Sequence, residues 1–490
     1  MDALAQIGGP LSALGIVGLL LGRHRGVRFV GLALTVCGGG LAAAAFAPHS
    51  SLVPLLTVAA VVLAVTAVLI VALLRLPQLL PILALACVPV RLPFKLSGSI
   101  YSSFALLYLI ITAATIVLAL EIYRGDKRSR ELGPIAWPLA AFVVWSAISL
   151  IWSVDIRRGS TELDAALLPF TYLALSLARL RWSRRLLQGL LVQLVAMALV
   201  FALVGVYQYE TRDIFWNPKV INSNAYAPFF RVNSVFWDPS IYGRFLVLAI
   251  LACLALVVMR VGRPWLAIAT VAIAALWIGL ALSFSQSSFT ALVVGVVAAA
   301  LVAWRRRAVI PLVALSILIV PVALVTPQAR ARVLDGKKSD LSSITSTRST
   351  LVTHGIRIAV DHPLIGVGIG GFRRAYADLI GLPGQDLRKV TSHTAPVTVA
   401  AEEGVIGLVL FLWLLSAALL VTFRRAGPSF SGRVQLVCAL ALTAIAVHSL
   451  FYSGFFEDPM TWGFLAIAVA APLTLPGEEF AIRGDAVRTP

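Results

Sequence analysis

The chain has 490 residues, of which 60% are hydrophobic and 13% are charged, and its mean hydropathy is +0.94. A soluble protein of this length could not bury so much apolar surface, so the composition excludes a soluble enzyme and indicates a polytopic membrane protein. The net charge of +18 lies mostly in short Arg-rich loops between apolar runs, where it signals orientation and contact with anionic lipid. We therefore expect a lipid bilayer, and no nucleic acid, as the partner of these charges.

Runs of about 20 apolar residues, the length that a helix needs to cross a bilayer, follow one another along most of the chain. They favour helices over barrel strands and predict an all-α polytopic membrane protein with about 13 to 15 transmembrane helices. The run at 77–92 is short and contains three prolines, so we expect it to be broken or re-entrant. We place the spans at residues 4–22, 27–47, 52–74, 77–92, 100–123, 134–152, 163–179, 186–207, 241–259, 264–284, 288–304, 308–326, 397–423, 433–453 and 459–475.

Arginine-rich gaps follow the odd-numbered spans, for example Arg23 and Arg25 after the first span and Arg305 after the eleventh. An excess of Lys and Arg in short loops marks the cytoplasmic side of a membrane protein. The even-numbered gaps are therefore predicted to face outward, and they include both long polar loops, 210–242 and 326–396. We expect the chemistry of the protein on this outer face.

The loop at 326–396 contains ten Lys or Arg residues and five Asp or Glu residues. A basic cavity that faces outward beside the membrane suits an anionic lipid headgroup or a phosphorylated substrate. The pattern divides the chain into N-terminal transmembrane helices with the first long outer loop at 1–240, central transmembrane helices at 241–326, a large extracytoplasmic catalytic loop at 327–396, C-terminal transmembrane helices at 397–475 and a polar tail at 476–490.

The common signatures of nucleotide and metal enzymes are absent. The sequence contains no GxxxxGK[ST] phosphate loop, no HExxH and no GxSxG, so we do not expect an ATP-driven mechanism. The four cysteines all lie in apolar runs without metal-ligand spacing, and we interpret them as buried apolar residues. We predict that the protein uses no cofactor and no metal. The glycine-rich run GVGIGGF, from Gly366 to Phe372, lacks a βαβ context and is interpreted as a series of tight backbone turns.

His393 is the strongest catalytic candidate, because it follows a polar stretch and directly precedes an apolar helix that contains Glu402 and Glu403. A neutral imidazole can take a proton from a hydroxyl nucleophile. Glu402 lies nine residues further on, so contact with His393 is not implied. A glutamate near a helix N-terminus also has a structural interpretation, since it complements the helix dipole.

Two arginines, Arg348 and Arg231, lie in the two outer loops. A guanidinium group pairs with two phosphate oxygens at once and stays charged at any working pH. The alternative interpretation is a solvated loop residue for Arg348 and headgroup anchoring for Arg231, which has aromatic neighbours. His448 lies in an apolar run, where an interhelical hydrogen bond is the simpler interpretation.

Four segments carry a pattern known from one protein family. They are RVNSVFWDPSIYGRFL from Arg231, LSFSQSSFTAL around Gln286, Arg348 followed by DHPLIGVGIGGF, and His393 with Glu402 and Gly404. Together they resemble the O-antigen ligase and O-antigen polymerase family of membrane glycosyltransferases. The resemblance covers mainly residues 230–410, and the last two segments are the most specific.

The resemblance implies a GT-C-like fold with a large helical extracytoplasmic loop, in a multi-pass protein of the bacterial cytoplasmic (inner) membrane whose active site faces the periplasm or cell exterior. Members of the family transfer a glycan from a polyprenyl (undecaprenyl) diphosphate carrier to a hydroxyl of a glycan or glycolipid acceptor, without nucleotide or metal. This activity belongs to cell-surface polysaccharide and lipopolysaccharide biosynthesis. The motifs do not separate a ligase from a polymerase.

The resemblance also implies roles for individual residues. His393 would be the general base or would position the acceptor hydroxyl, with Arg348 and Glu402 completing the catalytic set. Arg231 would bind the diphosphate. Gln286 stands where the family usually has arginine, so either Arg244 or Arg373 supplies the missing charge or the substrate differs.

Two other functions fit a polytopic protein. A secondary transporter or flippase of lipid-linked or amphipathic anions would carry charges within its spans and inverted repeats. The spans here are nearly free of charge, which counts against it. A scaffold protein would make the pairing of His393 with Arg348 incidental, and it should tolerate substitution of His393.

Overall fold

The computed structural model describes residues 2–45, 52–96, 99–125, 132–215, 217–226, 230–304, 341–382, 392–452 and 454–474. Each predicted apolar run that falls on these residues contains a helix. The predicted span at 308–326 and the predicted tail at 476–490 lie outside the described residues.

The chain is built from helices that follow the apolar runs closely, with one hairpin between them. The helices are α1 (Asp2–Leu21), α2 (Arg25–Ala45), α3 (Leu52–Arg75), α4 (Leu79–Cys87), α5 (Ala105–Tyr123), α6 (Ala136–Ser149), α7 (Ile156–Glu162), α8 (Leu168–Ala178), α9 (Arg184–Thr211), α10 (Pro218–Tyr226), α11 (Pro239–Val258), α12 (Arg263–Ser283), α13 (Gln286–Trp304), α14 (Leu341–Asp361), α15 (Phe372–Leu379), α16 (Ala395–Arg425), α17 (Phe430–Ser449) and α18 (Pro459–Thr474). Strands β1 (Leu92–Leu96) and β2 (Ser99–Ser103) pair antiparallel between α4 and α5.

Within the described ranges, nine helices are long and apolar enough to cross a membrane, and two shorter apolar helices lie at Ala60–Arg75 and Pro459–Pro472. The fold class, an all-α polytopic membrane protein, is confirmed. The total of about 13 to 15 spans stays a prediction. Within the proline-containing run at 77–92, helix α4 ends at Cys87. The hairpin of β1 and β2 follows, and the apolar pattern did not predict it.

Helix α11 is the most enclosed of these helices, with 72% of its apolar window buried. It packs against α9, α12, α13 and α17. Small residues permit this close approach: a methyl group at Gly243 of α11 would lie 2.6 Å from Ser288 Oγ of α13. In lipid, where apolar burial alone does not drive helix association, such close packing supplies much of the attraction between helices.

Helix α16 is interrupted at Gly404, whose φ of 69° and ψ of −167° are not helical. The interruption leaves two carbonyl groups of the preceding turn available to other donors. Val367 N–H donates to Ala401 O at 3.0 Å, and Gly368 N–H donates to Glu402 O at 2.7 Å. The glycine-rich segment at 362–371 therefore lies against the break in α16.

The turns predicted for this segment are confirmed, since Gly366, Gly368 and Gly370 all have positive φ. Gly368 is also crowded: a Cβ there would lie 2.2 Å from Ser153 Cα. Gly381 has a comparable φ of +74° but no atom within 4 Å of its Cβ position. Comparison of Gly368 with Gly381 therefore separates the free-energy cost of a positive φ from the free-energy cost of steric crowding.

We expect Gly368→Ala to lower the free energy of unfolding more than Gly381→Ala does. Both variants pay about 1 kcal/mol for a side chain at positive φ. Only Gly368→Ala adds a backbone clash, worth a further 1–3 kcal/mol or so. Thermal unfolding of the purified variants in one detergent measures the difference, and equal shifts would show that the segment does not pack as described.

Candidate active site

The loop at 210–242 and the turn between α12 and α13, both predicted to face outward, lie at the same end of the helices as the end of α17. His448 of α17 has its Nε2 atom 3.0 Å from Ser287 Oγ of α13 and 3.2 Å from the Ser240 carbonyl oxygen of α11. Arg231 Nε donates to the Ser283 carbonyl oxygen at the end of α12, at 3.2 Å. His448 thus makes the interhelical contacts expected from the sequence.

The glycine-rich segment at 362–371 packs against the residues that follow α6. Ser153 Oγ donates to Ile369 O at 2.8 Å, and Ile369 N–H donates to Ser149 Oγ at 3.1 Å. Val154 N–H donates to Val367 O at 3.1 Å. The segment is therefore held on one side by the turn after α6 and on the other by the broken part of α16.

Glu402 connects this segment to α15. Its side chain is only 5% exposed, and its Oε1 accepts the backbone N–H of Phe372 at 3.1 Å. Phe372 is the first residue of α15, so the carboxylate lies at a helix N-terminus, where negative charge is favoured. The next residue, Glu403, accepts a hydrogen bond from Ser146 Oγ at 3.0 Å.

A cavity of about 100 Å³ opens beside these carboxylates. Its polar lining consists mainly of four glutamates, Glu162, Glu402, Glu403 and Glu457, and aromatic rings line part of the remainder. Carboxylates accept hydrogen bonds from hydroxyl groups. The lining has the chemistry to hold a hydroxyl-bearing group.

Glu457 lines the cavity, and its side chain is exposed. Desolvation by the surrounding protein raises the pKa of its carboxyl group above the ordinary value, and the nearby charge of Glu162 raises it further. The cations Arg158, Arg91 and Arg244 oppose this shift in pKa. The cavity therefore lies within the electrostatic reach of three arginines.

Arg244 is the most deeply buried of these arginines, with 4% exposure. Its Nε lies 2.9 Å from Asp458 Oδ2, and its Nη1 is buried without a hydrogen-bond partner among the described residues. Arg91 places its guanidinium 4.1 Å from the ring centre of Phe104. Burial lowers the pKa of Arg91, and the charge of Arg244 lowers it further.

Sequence reasoning missed Arg91, Arg158 and Glu457. Arg91 lies at the end of the apolar run at 77–92, where an arginine is ordinarily interpreted as an interface anchor. No local pattern identifies Arg158, in α7, or Glu457, in the turn before α18, since only the fold brings them together.

The predicted site residues fall into different environments. His393 has a φ of +59°, directly before α16. Gln286 is the exposed first residue of α13, and Arg373 is the second residue of α15 and half-buried. Arg348 lies in α14, but its side chain is outside the described residues.

Fold and site together define a polytopic membrane protein with a recessed, charged site at one end of its helices. Residues 271–412 match the family model described as O-antigen ligase, which confirms the resemblance to the O-antigen ligase and polymerase family. No match was found among the curated proteins. The family supports a membrane glycosyltransferase-like role in polysaccharide synthesis and implies lipid-linked glycan substrates.

We expect the Arg244–Asp458 pair to be far more important for stability than the partly exposed Arg158–Glu162 pair. Asp458→Asn leaves a buried cation without its counter-charge, which costs about 3–5 kcal/mol. Glu162→Gln removes a pair whose side chains are 36% and 26% exposed, and such pairs contribute about 1 kcal/mol or less.

Thermal unfolding of the two single variants tests this order. The double variant Arg244→Met/Asp458→Asn removes both charges and should recover much of the stability lost in Asp458→Asn. A double variant no more stable than Asp458→Asn would contradict the view that an unpaired cation causes the loss.

Proposed function

We propose that the protein transfers a glycan from a polyprenyl (undecaprenyl) diphosphate carrier to a hydroxyl acceptor on the outer face of the membrane, as an O-antigen ligase or polysaccharide polymerase. One observation carries the proposal. The most specific family segment, at 361–372, is fixed against the part of α16 that follows His393 and contains Glu402. The same end of the helices carries the buried Arg244 and the half-buried Arg91.

The reaction breaks the bond between the anomeric carbon of the glycan and the carrier diphosphate, and it forms a bond to the acceptor oxygen. In the proposal, His393 accepts the proton of the acceptor hydroxyl or positions that hydroxyl. The carrier diphosphate leaves with its bonding electrons, and positive groups stabilise its developing charge. Arg348, Arg231, Arg244 and Arg373 are the proposed cations, with Gln286 as an uncharged donor.

Arg244 has the strongest structural support among these cations. Its Nη1 is buried without a hydrogen-bond partner among the described residues, close to Gly454 of the cavity wall. A phosphate oxygen would satisfy that donor. Arg91 adds positive charge nearby, which offers a source for the charge that Gln286 lacks.

The proposed orientation places this end outside the bacterial cytoplasmic membrane. Helices α9 and α12 both end on the side of the candidate site. Each begins at an arginine, Arg184 or Arg263, on the opposite side. Positive residues favour the cytoplasmic side. A lipid-linked donor and a glycan or glycolipid acceptor would then meet at the outer surface.

Substitution of His393 tests the proposed chemistry. His393 has positive φ, and asparagine tolerates this conformation better than alanine, so His393→Asn removes the imidazole with little backbone strain. We expect glycan transfer from a polyprenyl-diphosphate oligosaccharide in proteoliposomes to fall by about 100-fold or more. The measurement is release of the carrier diphosphate together with the mass of the glycosylated acceptor.

The neighbouring change Thr394→Ser is the matched control and should retain turnover. Native turnover by His393→Asn would remove the imidazole from the chemistry. If the native chain released no carrier from any lipid-linked donor, the alternative of a transporter or flippase of such anions would be tested by flux.

Glu402 is proposed to belong to the catalytic set through the segment that it holds. Glutamine presents the same side-chain oxygen to the Phe372 N–H but cannot take up a proton as a carboxylate does. We expect Glu402→Gln to keep kcat within about tenfold of native and Glu402→Ala to lose far more. Comparable loss of kcat in both variants, with thermal stability retained, would instead assign proton transfer to the carboxylate.

A further inference from the structure

A second cavity, of about 420 Å³, is separate from the cavity of the candidate site and lies between α4, α8, α9, α17 and α18. Its volume falls within the range of about 300–1,000 Å³ that is usual for small-molecule sites. Its walls are almost entirely apolar, with side chains such as Leu187, Leu190, Val437 and Ile467. Arg184, Gln188 and Arg433 are the polar exceptions.

The two arginines of this cavity mark the end of the bundle opposite to the candidate site. Arg433 is near the start of α17, whose far end carries His448 of the site. Fifteen residues separate these two positions, which corresponds to about 22 Å along a helix. Arg184 starts α9, whose far end carries Gln208, a partner of the backbone of Ser234.

The opposite end of the cavity is apolar. Pro459 and Met460 line it there, and they directly follow the buried Asp458 in the chain. The cavity is therefore elongated and has positive charge at one end only. This asymmetry is the property that selects an occupant.

The charged end is shaped for an anion. Arg184 holds its guanidinium 5.3 Å from the ring centre of Phe430, so the starts of α9 and α17 are adjacent. No Asp or Glu lines the cavity, and neither Arg184 nor Arg433 forms an ion pair within the described part of the chain. Two positive groups at the mouth of an apolar cavity complement a negatively charged head on an apolar chain.

We propose that this cavity binds a phospholipid with an anionic headgroup, whose acyl chain fills the apolar walls and whose phosphate contacts Arg184 and Arg433. The charge pattern favours this occupant over the tail of a polyprenyl carrier. A carrier bound at the candidate site would present only hydrocarbon to the two arginines. The bound phospholipid joins α9 to α17, and this role is independent of the transfer reaction.

Native mass spectrometry of the full chain from lipid nanodiscs tests the proposal. The nanodiscs contain phosphatidylglycerol and phosphatidylcholine in equal amounts, and retained lipid is counted by mass. We expect the native chain to retain phosphatidylglycerol and Arg184→Gln/Arg433→Gln to bind it about 30-fold more weakly, at about 1 kcal/mol for each arginine. The control Arg424→Gln/Arg425→Gln removes two charges from the same end, outside the cavity lining, and should retain it.

A second pair of variants tests the apolar walls. Gly463 lines the cavity and has no atom within 4 Å of its Cβ position, so the Cβ of Gly463→Leu enters free space and the side chain occupies part of the cavity. Gly189 has the same free space on α9 but does not line the cavity, so Gly189→Leu is the matched control. Gly463→Leu should lose the lipid and Gly189→Leu should keep it.

Either of two results would overturn the proposal. One is equal lipid retention in Arg184→Gln/Arg433→Gln and the native chain. The other is complete displacement of phosphatidylglycerol by added undecaprenyl phosphate, with retention of that carrier unaffected by the arginine substitutions, which would assign the cavity to the carrier tail.

Discussion

The break in α16 at Gly404 is the feature on which the candidate site depends. A broken helix in a membrane protein leaves backbone carbonyl groups that water cannot reach, and an unsatisfied group costs several kcal/mol. Here Val367 and Gly368 donate to these carbonyls. The glycine-rich segment is therefore an obligatory partner of α16, and it determines where α15 begins and where Glu402 points.

Electrostatics then set the character of the site. Arg244, Arg91 and Asp458 lie where few waters can solvate them, and charges in such surroundings persist only when they are paired or stacked. Asp458 supplies the pairing for Arg244, and the Phe104 ring supplies the stacking for Arg91. The result is a positive region next to a carboxylate-lined cavity, so the site combines cations with acceptors for hydroxyl groups.

The sequence predicted the helices well because the length and apolar composition of a membrane span can be read from the span itself. No information about the helices that pack against it is needed. His393 and Glu402 were predicted as site residues from a short local motif, and their roles stay predictions. It did not predict the hairpin of β1 and β2, a short element without an apolar period of its own. Arg158 and Glu457 were missed because 299 positions separate them, and only packing between distant helices makes them electrostatic neighbours.

The stretch of 142 residues that matches the family, 271–412, ends inside α16 and excludes α6, α11, α17 and α18. Two hydrogen-bond partners therefore lie outside the matched stretch: Ser146, which donates to Glu403, and His448, which contacts Ser287 of the SFSQSS turn. The matched stretch is consequently not a self-contained module, because some of its polar groups, such as the Glu403 carboxylate, are satisfied by helices outside it. A chimera that exchanges only residues 271–412 between related proteins would replace one partner of each of these hydrogen bonds and keep the other. Compatibility with the remaining helices, rather than the motifs themselves, would then limit whether such a chimera folds.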